Sequence, residues 1–153
     1  MLTALFFYGC QHTNQIHPLK IDTLSLQYRT EDSFKGILEA ITHKKSTNGR
    51  IILRTQPDVR EGIYFIITFN HSINTIPVNS SIKITYITNL EPKEQITQWT
   101  IPPVNYSLYL QNEIYLGVTN IKKYSSQTKL IAWNIDIIAP NGQIIANKHS
   151  FAW

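Results

Sequence analysis

This sequence of 153 residues has few cysteines and glycines and no long apolar run, and each shortage excludes a kind of site or structure. A single cysteine excludes an internal disulfide and a cysteine-rich metal site. Six glycines occur, none of them in a Gly-x-Gly arrangement, so no glycine-rich loop can cradle a phosphate. No apolar run approaches the roughly 20 residues of a membrane-spanning helix.

Charge is also sparse and has no strong bias. Charged residues make up 16% of the chain, below the ~25% of average domains, and the formal net charge is +4. The basic residues are scattered, with local concentrations at Lys44-Lys45, Arg50, Arg54, Arg60 and Lys122-Lys123. A nucleic-acid reader normally has a clustered basic face with stacking aromatics. We therefore expect no nucleic-acid partner.

The five histidines lack the spacing of a metal site. They are far apart, and no His-x-x-x-His pair occurs; they are His12, His17, His43, His71 and His149. Metal sites in proteins need ligands at set spacings. We expect no metal and no other cofactor.

The amino-terminal segment has the pattern of an export signal. Residues 1–10 form an apolar run that ends in Gly9-Cys10, and the polar stretch Gln11-His12-Thr13-Asn14-Gln15 follows. An apolar region of ~7–15 residues followed by a small-residue cleavage site is typical of exported proteins. An alternative is that these apolar residues form a first buried strand with Cys10 in the core.

The ending Phe7-Tyr8-Gly9-Cys10 resembles the lipobox of bacterial lipoproteins. Gly9 and Cys10 match the motif, whereas the family usually has Leu and Ala or Ser where Phe7 and Tyr8 stand. The resemblance implies that Cys10 is lipidated and becomes the first residue of the mature chain. It further implies that Gln11, which is not an aspartate, directs the protein to the outer membrane, facing the periplasm. We expect residues 1–19 to be a signal-peptide remnant and tether, and residues 20–153 to be one domain.

The rest of the chain has the composition of a β protein. It is rich in Ile, Thr, Tyr and Val, which are favoured in strands. Alternating apolar residues predict strands with one buried face within residues 24–28, 82–86, 106–110 and 114–118. Within residues 62–70, odd-numbered and even-numbered positions are both apolar, which predicts a central strand covered on both faces. Residues 94–100 are expected to form a short edge strand.

One helix is expected between residues 32 and 45. Phe34, Ile37, Leu38 and Ile41 are spaced i, i+3, i+4 and i+7, as on the buried face of a helix. Acidic residues lie at its start and basic residues at its end, where each sign suits the helix dipole.

The clearest local signal is a hairpin near the carboxyl terminus. Asn141-Gly142, the preferred pair of a two-residue type I′ turn, separates two strand-like runs. With that turn, opposing residue numbers sum to 283, so Trp133, Ile135 and Ile137 are expected to share a core face with Ile144 and Ala146. The outer face is then expected to carry Asn134, Asp136, Asn147 and His149.

Together these elements predict a mainly β fold, an antiparallel immunoglobulin-like β-sandwich with one short helix. No catalytic residue is expected. Asp136 and His149 share a face, but strand alternation sends Ser150 to the opposite one, so a triad fails on geometry. A partner-binding surface is predicted instead at Trp99, Pro102, Pro103 and Tyr106, where aromatic side chains flank a stiff proline pair. The alternative is that Trp99 and Tyr106 point inward from two strands.

The favoured function is a non-enzymatic cell-envelope lipoprotein that binds or supports another envelope protein. An exported hydrolase is one alternative, although it would require catalytic residues that the sequence does not offer. A small outer-membrane β-barrel is another, because Phe151 and Trp153 alternate as in the last strand of such barrels.

Overall fold

The computed structural model describes residues 18–44, 49–103 and 112–153, with the backbone alone at residues 37 and 38. Half of the structure is strand and 9% is helical, so the mainly β prediction is confirmed. The strands are β1 (Ile21–Arg29), β2 (Ile51–Arg54), β3 (Gly62–Phe69), β4 (Ser81–Thr88), β5 (Glu91–Thr100), β6 (Glu113–Thr119), β7 (Leu130–Ile138) and β8 (Ile144–His149).

The described strands form two four-stranded sheets. Sheet 1 has the order β1-β3-β6-β2 and sheet 2 the order β5-β4-β7-β8. All neighbouring strands are antiparallel except β2 and β6, which are parallel. Side chains from both sheets share one main core, among them Phe65 and Leu116 from sheet 1 and Ile84 and Ile135 from sheet 2.

Strand β3 is the central strand that its apolar sequence predicts. It lies between β1 and β6. Its odd-numbered side chains, with Ile63, Phe65 and Ile67, belong to the main core. The even-numbered side chains, Tyr64 and Ile66, form a second apolar cluster on the outer face of sheet 1. Both faces of β3 are therefore covered, as are those of β6, for which one apolar face was expected.

The helical segment differs from its prediction. A 3-10 helix (Glu31–Phe34) and a short α-helix, α1 (Ile37–Thr42), replace the single helix, and Lys35 and Gly36 between them are extended. The break has a packing reason, because it lets Phe34 lie on the ring of Tyr64, with their centroids 4.8 Å apart.

The hairpin register is confirmed, but the turn is not type I′. Asn134 pairs with His149 and Asp136 with Asn147, as the sum of 283 requires. The Gly142 N–H donates to the Ala139 carbonyl at 2.9 Å, and among the described residues with positive φ Gly142 appears but Asn141 does not. This is a three-residue loop with a bulge at glycine.

That bulge changes the side chains near the turn. The register shifts between Ile137 and Ile138, which places Ile144 opposite Ile138. Ile144 is consequently 56% exposed, contrary to the expectation that it joins the core, while Ile135 and Ile137 are fully buried. Trp133 is half-buried and packs against the core.

Strand β7 allows a matched test of the core. Ile135 is fully buried, whereas Ile131 on the same strand is 54% exposed. We expect Ile135→Ala to lower the free energy of unfolding by about 3 kcal/mol, through lost burial and a cavity. Ile131→Ala should lower it by less than about 1 kcal/mol. Urea unfolding followed by circular dichroism measures both, and equal effects would contradict the assigned core.

Tyr86 makes stability depend on pH in the alkaline range. Burial raises the pKa of its hydroxyl well above the ordinary 10.0, and the neighbouring Tyr124 hydroxyl adds to the rise. Above about pH 10 the unfolded chain loses this proton and the folded chain keeps it, so stability falls as pH rises. Tyr86→Phe should make the fall between about pH 10 and 12 shallower. An unchanged slope in urea titrations would show that Tyr86 is not responsible.

Candidate functional site

A groove of about 500 Å³ opens between strands β2 and β5. Its lining residues are Ile52, Leu53, Arg54, Thr55, Pro57, Gln98, Trp99 and Thr100. Each of the two strands is the last of its sheet, so the walls of the groove are sheet edges. On the opposite long side, the Lys148 ammonium of β8 donates to the carbonyls of Ile21 and Asp22 on β1.

Trp99 forms part of the groove wall. It pairs with Ile82 of β4 and is 5% exposed, so most of its ring belongs to the main core. Its indole Nε1 is buried and has no hydrogen-bond partner among the described residues. An unpaired buried N–H is costly.

The other residues of the predicted partner-binding surface lie nearby or outside the described part. Pro102 is half-buried and Pro103 is exposed, and Ile101 separates them from the end of β5. Tyr106 lies outside the described residues. The surface at Trp99, Pro102, Pro103 and Tyr106 stays a prediction.

Arg54 is the one charged residue in the described lining of the groove. Its Nε donates to the Tyr64 hydroxyl at 2.8 Å. Its guanidinium carbon lies 5.1 Å from the centroid of the Phe34 ring and 5.9 Å from that of Tyr64. Two rings and one hydrogen bond thus hold the guanidinium in place.

Tyr64 carries this arrangement. Its hydroxyl donates to the Arg60 carbonyl at 2.6 Å while it accepts from Arg54. Burial raises the pKa of Tyr64, although the hydrogen bond from Arg54 pulls in the opposite direction. A Cβ at position 117 would come within 2.6 Å of the Tyr64 ring, so Gly117 on β6 makes room for it.

A buried ion pair ties the helical segment to the same face. Arg60 is 4% exposed, and its Nη1 and Nη2 donate to the two Glu39 carboxylate oxygens at 2.8 and 3.0 Å. This hydrogen bonding to Glu39 is the main reason that the pKa of Arg60 is raised. Glu31 lies further away, at 3.9 Å from Nε. The two-pronged geometry fixes α1 beside Tyr64.

The residues considered for hydrolysis have other contacts. The Asp136 carboxylate accepts from Asn147 at 2.7 Å and lies 3.8 Å from the Lys83 ammonium. The Ser150 hydroxyl accepts from the Trp133 N–H at 3.1 Å, and the His149 Nδ1 lies 3.0 Å from the Ser150 carbonyl. Asp136 is 7% exposed, whereas Asn147 and His149 on the same outer face are exposed.

A second, smaller cavity of about 280 Å³ lies at one end of the sheets. It is lined by Tyr28, Val59, Glu61, Gly62, Asn120, Ile121, Lys122 and Tyr124. Within its lining Tyr28 donates to Glu61, and Asn120 donates to Gln56, which lies outside the lining, at 3.0 Å.

Two further properties concern the described residues alone. None of their helices is long and apolar enough to cross a membrane. They also contain no group of three or more side chains that could hold a metal ion. Comparisons with known proteins add no identity, since no family model, no curated protein and no solved structure matches the chain.

The groove was not predicted as such from the sequence. Arg54 stands out there only as one of several scattered basic residues, and the contact with Tyr64 follows from the pairing of β2 and β3 with β6. The available signal was the alternation Arg50-Ile51-Ile52-Leu53-Arg54, which puts two arginines on one face of a strand. Chemically, the arrangement can bind a carboxylate.

The buried ion pair can be tested against an exposed one. Glu39→Gln leaves the Arg60 guanidinium buried with a neutral partner, which should lower the free energy of unfolding by about 2 kcal/mol. Asp32→Asn removes the exposed pair with Lys35 and should leave the denaturation midpoint unchanged. Urea titrations of the two variants measure this difference. Equal shifts of the two denaturation midpoints would refute the conclusion that the Glu39–Arg60 ion pair stabilises the fold.

Proposed function

We propose that this chain is a non-enzymatic lipoprotein of the bacterial cell envelope. Cys10 would carry the lipid, and the domain would act as a binding or structural accessory for another envelope protein at the outer membrane. The observation that carries the proposal is the position of Gly9-Cys10 just ahead of the domain. The domain contacts the start of the described chain through Asn70. The Asn70 side chain donates to the Pro18 carbonyl at 3.3 Å and accepts from the Lys20 N–H at 2.7 Å.

The orientation of β1 supports a display role. Its eight steps from Ile21 to Arg29 cover about 26 Å at the usual rise per residue. The tether would join at the Ile21 end, and the chain from Cys10 to Pro18 can reach at most about 28 Å. Pro18 would therefore lie within about 28 Å of the membrane surface.

The finer fold assignment, an immunoglobulin-like β-sandwich, is part of the same proposal. The described chain crosses between the sheets three times: β3 lies in sheet 1, β4 and β5 in sheet 2, β6 in sheet 1, and β7 and β8 in sheet 2. Such crossings are typical of the Greek-key connections of immunoglobulin-like domains. The extra strand β2, parallel to β6, would be an addition to that plan. Immunoglobulin-like domains commonly serve as binding modules at cell surfaces.

The non-enzymatic part of the proposal rests on the occupied polar groups. The Ser150 hydroxyl already accepts a backbone hydrogen bond, and Asp136 is held by Asn147. A nucleophile has to lie within hydrogen-bond reach of its base. Esterase or glycosidase turnover that disappears in both His149→Ala and Asp136→Asn, with the fold retained, would favour the hydrolase instead.

The anchor is tested by replacing its acceptor. In a Gram-negative host, we expect the wild-type chain to fractionate with membranes and its Cys10 peptide to carry acyl mass in mass spectrometry. Cys10→Ser should move the protein to the soluble fraction, because the thiol that accepts the lipid is gone. Its melting temperature should stay within about 2 °C of the unacylated wild type, since the tether lies outside the domain.

Gln11→Asp is the matched control. It keeps Cys10 and so should keep the acyl group, while the lipoprotein resemblance implies a shift from the outer to the inner membrane fraction. Wild-type protein without acyl mass, or a Cys10→Ser variant that stays with membranes, would refute the anchor.

A further inference from the structure

The exposed hydrophobic side chains are concentrated at one end of the two sheets. This end is formed by the turn after β4, the loop from β6 into β7, and the residues after β8. Five of the nine large hydrophobic residues exposed in the described part of the chain lie there. We call this surface, residues 89–90, 121–131 and 150–153, the apolar end. Its exposed hydrophobic residues are Leu90, Ile121, Ile131, Phe151 and Trp153.

Hydrogen bonds hold the three segments of the apolar end together. The Lys129 N–H donates to the Asn89 side chain at 2.7 Å, and the Asn89 amide group donates to the Gln127 carbonyl at 3.1 Å. After β8, the Ser150 N–H donates to the Trp133 carbonyl of β7 at 2.9 Å. The turn, the loop and the last residues therefore form one surface at the end of sheet 2.

The apolar end lies opposite the points where the undescribed residues join the fold. Strands β1, β2 and β6 begin at the other end of sheet 1, and β5 ends at the other end of sheet 2. The undescribed residues 1–17 precede β1, 45–48 precede β2, and 104–111 connect β5 to β6. The surface is therefore defined by described residues.

Phe151 and Trp153 are displayed by a hydrogen-bonded turn. The Trp153 N–H donates to the Ser150 carbonyl at 3.2 Å, and the Ser150 hydroxyl accepts from the Trp133 N–H at 3.1 Å. Phe151 is fully exposed within this turn, and Trp153 is 44% exposed. Exposed apolar clusters mark sites of interaction with proteins or membranes.

The charge of this surface is positive. The apolar end contains no acidic residue and three lysines, which are Lys122, Lys123 and Lys129. Glu91, which follows it directly, pairs with Lys123, whereas Lys122 and Lys129 are exposed. The other acidic residues at this end of the fold, Asp58 and Glu61, lie in the loop between β2 and β3 of sheet 1. The sheet 2 side of this end therefore has an excess of positive charge.

Lysines beside aromatic side chains suit an anionic lipid surface better than a protein partner. Lysine is depleted in protein interfaces, where arginine is enriched. At a bilayer surface, by contrast, a lysine keeps its ammonium among the headgroups while its stem lies along apolar groups. Tryptophan is enriched at the same depth, and each lysine near an anionic surface adds attraction.

We propose that the apolar end docks on the surface of an anionic lipid bilayer, with Phe151 and Trp153 inserted between headgroups and with Lys122 and Lys129 on the lipid phosphates. This contact involves no covalent lipid. It therefore goes beyond the proposed anchor at Cys10 and does not depend on it.

The test uses the full chain with Cys10→Ser, which carries no lipid, and vesicles of phosphatidylglycerol mixed with phosphatidylcholine. Sedimentation with the vesicles measures binding. Quenching of tryptophan fluorescence by brominated lipid measures insertion, and the part of the quenching that is lost in Trp153→Phe reports on Trp153. Because residues 1–10 are also apolar, binding is compared only between variants that share them.

We expect Phe151→Ser to weaken vesicle binding about tenfold, as the loss of an inserted ring predicts. Ile144→Ser is the matched control and should leave binding unchanged, because Ile144 is 56% exposed but lies at the opposite end of sheet 2. Lys122→Gln and Lys129→Gln should each weaken binding about fivefold. Lys20→Gln, at the start of β1 and so at the opposite end, should have no such effect. All these side chains are exposed or half-buried, and circular dichroism checks that the variants fold.

Several results would overturn the inference. They are the absence of Trp153 quenching by brominated lipid, equal weakening by Phe151→Ser and Ile144→Ser, or equal binding to vesicles of phosphatidylcholine alone. Polyglutamate that shields Trp153 as well as the vesicles do would indicate an acidic protein partner instead. Self-association that disappears in Phe151→Ser would indicate a second copy of the chain. A failure of Cys10 acylation would leave all these measurements unaffected, so the two proposals fail separately.

Discussion

The Tyr64 hydroxyl is the constraint on which the outer face of sheet 1 depends. The ring is fully buried, and a buried hydroxyl without partners would cost about 1–3 kcal/mol. It is satisfied on both sides, by the Arg60 carbonyl and the Arg54 guanidinium. The two residues that flank the turn after β2 are therefore placed by a single side chain on β3.

That arrangement requires cooperation from elements that are distant in sequence. Phe34 covers the Tyr64 ring, Gly117 leaves room beneath it, and Glu39 neutralises the buried Arg60. Each of these would be poorly placed without Tyr64. The helical segment thus covers the outer face of strand β3, and the extended residues Lys35 and Gly36 connect its two helices there.

The sequence was informative where structure repeats locally. The alternation in β4 and the two-faced burial of β3 follow from side-chain periodicity, and the hairpin register was predicted from the position of Asn141-Gly142. The turn was misjudged because Pro140 fixes its own φ near −65°, which favours a type I turn followed by a bulge at Gly142. The ion pair of Asp136 was missed because its partner Lys83 comes from β4, and no local pattern encodes that contact. Arg54 was missed for the same reason.

The two long sides of the sheets differ in a way that bears on access. On the β1–β8 side, Lys148 bridges the two sheets through the backbone carbonyls of Ile21 and Asp22. On the β2–β5 side, the described residues of the two edge strands line a groove of about 500 Å³. The two long sides therefore differ in their described contacts, since a lysine bridges the sheets on one side and a groove separates them on the other.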